Sequence, residues 1–166
     1  MTLGLSIENF TILHTVISLV AIASGLIVLA AMLRGHRPSG WTALFLVTTV
    51  LTSVTGFMFP FAGVTPGIVF GVISIVVLAI ALAALYVRRL NGSWRWIYVV
   101  TALVALYLNV FVLIVQAFQK VAALRALAPT QSEPPFLIAQ GLALALFLIL
   151  GAMAVVKFRP DMLRAR

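Results

Sequence analysis

The stretch W-R-W-I-Y-V-V-T-A-L-V-A-L-Y-L-N-V-F-V-L-I-V-Q-A-F-Q-K, Trp94–Lys120, decides the fold. It is long and apolar enough to cross a membrane, yet Asn109 and Gln116 interrupt it. At roughly 100° per residue, Tyr98, Thr101, Ala105, Asn109, Val112, Gln116 and Gln119 fall within an arc of about 80°. Leu103, Val110, Phe111, Ile114 and Phe118 occupy the other side. The division predicts one face against protein and one against lipid.

Four further runs resemble it in length and character. The spans are expected at about 9–33, 41–61, 66–87, 94–118 and 135–156, each near the ~20 residues that a membrane helix needs. The composition agrees. Of 166 residues, 64% are hydrophobic and 8% charged, where a soluble domain carries about 25% charged residues. No polar segment is long enough to fold separately, so residues 1–166 are expected to form one domain: an all-α bundle of five transmembrane helices. The first run is too long for a signal h-region and lacks a basic n-region, so it is read as a retained helix.

Charge orients the bundle. Arg34, Arg37, Arg88, Arg89, Arg95, Lys157, Arg159, Arg164 and Arg166 fall on one side of the proposed spans. Lys120 and Arg125, with Glu8 and Glu133, fall on the other. The positive-inside rule then predicts an N-terminus outside and a C-terminus in the cytoplasm. Trp41, Trp94, Trp96 and Tyr98 fit a cytoplasmic aromatic belt. The net charge of +8 lies in these short caps, which accounts for it without nucleic acid. A multi-pass protein of a bacterial inner membrane is the expected setting. The outer loop, 119–134, is the longest connection, with helix expected to continue over 119–128 and stop before Pro129.

Small and hydroxylic residues mark expected helix contacts. Thr11, His14, Ser18, Ala21 and Gly25 share one face of the first span. Thr48, Thr49, Thr52, Ser53 and Thr55 crowd the second, and Gly67, Gly71 and Ser74 form a seam on the third. Such residues let backbones approach closely and bond across helices. Val16–Ser18 recurs at Val72–Ser74, and Trp41 pairs with Trp94 in a slipped register. Short as they are, these matches would fit a 2+2 parallel hairpin repeat with a fifth helix added.

Depth supplies the functional clue. Counted from the proposed interfaces at ~1.5 Å per residue, His14, Ser18, Thr55, Ser74, Gln116 and Gln140 fall in the outer half, with Asn109 nearer the middle. His14, Ser18, Thr55, Asn109, Gln116 and Gln140 are the candidate ligand-binding residues. Their bland role is interhelical hydrogen bonding, the common glue of membrane bundles. Their sharper role is a polar site holding a lipid or a quinone. A bis-histidine haem is disfavoured, because His36 falls in the opposite, cytoplasmic loop. No acidic residue lies in a span, and there is no H-E-x-x-H, phosphate loop or carboxylate pair, so neither a metal site nor a catalytic set is expected. Cysteine is absent, which excludes disulfides and thiolate-held clusters. His14 and Ser18 are four residues apart, but no third group orients them for hydrolysis. No motif attaches the chain to a family. The expected role is a non-enzymatic binding or accessory protein, among membrane lipids, associating with itself or with a larger membrane complex. A small channel or transporter lined by Asn109, Gln116 and the threonines is the second expectation, and a haem- or quinone-binding redox subunit the third.

Overall fold

The computed structural model describes residues 4–60 and 66–159. Among the described residues there are six α-helices and no β-strand: α1 (Ile7–Leu33), α2 (Ser39–Gly56), α3 (Pro66–Leu82), α4 (Trp94–Lys120), α5 (Ala122–Leu127) and α6 (Pro134–Lys157). Five of the helices are long and apolar enough to cross a membrane, counting α3 with the π-helical turn Ala83–Val87 that extends it. A small multi-pass membrane protein is the architecture consistent with them. The predicted basic tail, Arg164 and Arg166, and the end of the second span at Phe61 lie outside the described residues.

Helix ends follow local chemistry. The Ser6 hydroxyl accepts the Asn9 N–H at 3.2 Å and starts α1. Two prolines occupy the first turn of α6, where a missing N–H costs nothing. The second helix stops at Gly56, five residues short of expectation. Beyond it the Phe57 ring turns to Gly71 of α3, and the Phe59 ring to Phe10 and His14 of α1. The expected continuation of α4 is also broken: Val121 is extended (φ −86°, ψ 115°), so α5 starts as a separate short helix.

Successive long helices pack antiparallel: His14, early in α1, meets Thr55, late in α2, and Arg95, early in α4, meets Phe158, just past α6. α4 touches α1, α2, α3 and α6, so it is the axis of the bundle. α6 lies against α1 and α4. The closest approach surrounds Gly25. A Cβ there would lie 2.6 Å from Leu106 Cδ1 and 2.9 Å from the Phe45 ring. No side chain fits without displacement, which is the physical use of the small-residue face on α1. Gly71 serves likewise under Phe57, where a Cβ would meet the ring at 2.7 Å.

The expected lipid-facing side of α4 is not lipid-facing. Leu103 and Phe118 are buried. Leu103 lies toward Gly151 of α6, while the Phe118 ring meets Phe136 at 5.4 Å. Phe111 packs on Phe70 and Tyr107. Periodicity finds the polar face of α4, but α6 covers the other.

At the arginine-bearing end, the Arg95 guanidinium donates to the carbonyl of Val155, at 3.3 Å, and to that of Phe158. They lie in the last turn of α6 and at the residue that caps it, where carbonyls lack helical partners. The cation also complements the negative end of the helix dipole. Arg88 stacks 5.0 Å from the centroid of Trp94. The hydroxyls of Tyr98 and Thr42 are buried nearby, and neither makes a hydrogen bond of normal geometry, although they are polar neighbours.

Candidate functional site

Four of the six candidate residues take part in three helix contacts, and Ser18 and Gln116 in none. At the α1–α2 contact, His14 Nδ1 lies 2.8 Å from Thr55 Oγ1. Thr55 Oγ1 also lies 2.7 Å from the Leu51 carbonyl and 3.2 Å from that of Thr52. When its hydroxyl donates to Leu51, the ring donates from Nδ1 and Nε2 is left as a lone-pair acceptor in the neutral imidazole. Among the described residues nothing bonds Nε2. The ring is half-buried and is met edge-on by Phe59 at 5.3 Å, with Phe10 4.9 Å beyond Phe59. A ring nitrogen with a lone pair beside the Phe59 ring suits a hydroxyl donor on an otherwise apolar molecule.

Asn109 belongs to a second contact. Its amide donates to Thr49 Oγ1 at 3.5 Å, and the Thr49 hydroxyl donates to the Phe45 carbonyl at 2.7 Å. Both residues are buried, so the pair joins α4 to α2 within the core. Gln140 forms a third. Its Nε2 donates to the Phe111 carbonyl at 3.2 Å, linking α6 to α4, while its buried Oε1 meets no donor. Ser18 donates to the His14 carbonyl at 2.7 Å, within its own helix. Gln116 is half-buried and makes no side-chain hydrogen bond among the described residues. Among those residues no hydrogen bond joins these groups into one network.

The threonine-rich helix is equally self-contained. Thr48, Thr49, Thr52, Ser53 and Thr55 each donate to a carbonyl three or four residues back in α2. Those hydroxyls are thereby satisfied before any neighbour is considered, and they offer acceptor lone pairs only. This accounts for the tolerance of so polar a helix in an apolar bundle. His14, Thr49 and Thr55 thus differ in what they leave over, and only the histidine keeps a ring nitrogen without a partner among the described residues.

Sequence reading missed Phe59, which builds one wall beside His14, and Gln131, which ties the 128–133 loop to the Val115 carbonyl at 2.8 Å. The apolar run Phe57–Pro60 was the available signal for the first. No group of three or more histidine, aspartate or glutamate side chains that could hold a metal occurs among the described residues. The chain matches no known protein family, and neither a curated protein nor a solved structure matches it.

Proposed function

We propose that this chain is a non-enzymatic binding or accessory protein of a bacterial inner membrane, and that it holds an amphiphile, a lipid or a quinone, at the His14–Thr55 pair. The observation that carries this reading is the His14–Thr55 contact, with Nε2 unpartnered among the described residues and the Phe59 ring edge-on to the imidazole. An amphiphile with a hydroxyl, such as a quinol or a glycerolipid, would donate to Nε2 and lay its apolar part along the helices. The orientation predicted from the arginines puts this end in the outer leaflet.

Native mass spectrometry of the protein extracted from its membrane tests the reading. A retained lipid or quinone on the wild type, lost in His14→Phe, supports it. Equal retention in both, or none in either, contradicts it. Association with a second copy or a larger membrane complex has support on α6. Gly141, Ala145 and Ala152 lie exposed there, within an arc of about 40°, and a Cβ at Gly141 would meet nothing within 4 Å. The same spectra report stoichiometry, and Gly141→Leu should shift it toward the monomer.

A further inference from the structure

We infer that the junction of α4, α5 and the 128–133 loop is a binding site for the phosphodiester of a phospholipid headgroup, with Arg125 as its anchor. The site does not rest on the His14 reading. Phe118, Gln119, Arg125, Pro129, Thr130 and Gln131 surround an open hollow of about 220 Å³. It lies just past the end of a helix long enough to cross the membrane.

The hydrogen-bond inventory fixes what the hollow can recognise. Glu133 accepts from the Thr130 backbone N–H, the Thr130 hydroxyl and the Ser132 backbone N–H, at 2.8–3.1 Å. Its carboxylate is thereby committed to the turn. Gln131 donates to the Val115 carbonyl and accepts from Gln119 at 3.3 Å, so one Gln119 N–H remains. Arg125 has no carboxylate partner among the described residues. The free donors are therefore a guanidinium fork and one N–H on each of the Gln119 and Gln131 amides, a set in which the fork fits a phosphate anion bidentately.

The apolar surroundings select the lipid over a free ion. α5 is almost wholly apolar, yet none of its residues is buried against the protein, and Val121 and Leu127 are about half exposed. A short helix with bare apolar side chains beside a membrane-length helix belongs at the hydrocarbon boundary. Arg125 on that helix then lies at headgroup depth, its aliphatic stem among chains and its fork among phosphates.

The test titrates phosphatidylglycerol into the intact protein in detergent micelles and counts bound lipid by native mass spectrometry. Wild type should bind one more lipid than Arg125→Gln at matched concentration, with about tenfold weaker binding in the variant. Gln119→Leu should weaken it by less, and a diacylglycerol with the same chains should not compete. Arg125 is exposed, so circular dichroism of its variant should match wild type. If Arg125→Gln fails to fold, Gln119→Leu decides: unchanged binding overturns the site, and weakened binding supports it. Equal occupancy in Arg125→Gln, or equal competition by diacylglycerol, overturns it. Displacement by inorganic phosphate alone at comparable concentration overturns the lipid assignment.

Discussion

α4 and α6 have nearly equal mean hydropathy, yet 39% of the most apolar stretch of α4 is buried in the protein against 11% for α6. Hydropathy reports that both can live in a membrane and says nothing about which one the others surround. Close approaches within the bundle distinguish them. α4 presents Ala102, Ala105 and Leu106 to its neighbours, all essentially inaccessible, and Leu106 fills the space at Gly25. α6 leaves Leu142, Leu146, Leu148 and Ile149 more than half exposed. In lipid, which is as apolar as leucine, burial alone stabilises little. The difference lies in packing contacts and buried polar bonds.

The sharpest way to break this comparison is a matched truncation. Leu106→Ala should cost about 2 kcal/mol, because the cavity term survives when the water-transfer term does not. Leu148→Ala should cost almost nothing. Equal losses of thermal stability in detergent would show that α6 is packed as α4 is. Overpacking should give the same contrast at the glycines. Gly25→Val should destabilise by roughly 1–2 kcal/mol, whereas Gly141→Val, with open space around it, should leave monomer stability unchanged. Arg95→Gln removes donors from the last turn of α6 and should cost about 1 kcal/mol. It should also free the α6 end at Phe158, seen as faster exchange of that helix's final amides.

The smallest effect concerns the loop before α6. Desolvation raises the Glu133 carboxyl, but hydrogen bonds from the Thr130 hydroxyl and from the Thr130, Glu133 and Ser132 backbone outweigh it and hold the group below its ordinary range. A depressed folded value means that its contribution is complete at neutral pH and is lost as pH falls through that value. The Thr130 and Ser132 amide resonances should titrate together in acid, and Glu133→Gln should abolish the transition.

Much of the fold was legible in the sequence for simple reasons. Long apolar runs bounded by arginine turns and prolines mark the five spans, and the Gly25 face of α1 announces its close contact. The coverage of Leu103 and Phe118 was not legible, because which helix docks on which depends on nonlocal shape. The early end of α2 had the same cause: Phe57 and Phe59 leave the helix to reach partners on α3 and α1. The candidate residues were chosen by depth along separate helices. Rotation about each helix axis decides their partners, which is why Asn109 and Gln140 reach different neighbours from His14.

The central claim is that the hydroxyls of Thr48, Thr49, Thr52, Ser53 and Thr55 are satisfied within α2, while His14 Nε2 is left for a ligand. Nitrogen-15 NMR tests it directly in a His36→Gln background, where His14 is the sole histidine. The predicted spectrum of the neutral ring shows Nδ1 protonated and Nε2 unprotonated, with the Nε2 signal moving when a quinol is added. A ring protonated on Nε2, or a signal unmoved by quinol and by native lipid extract alike, would contradict it.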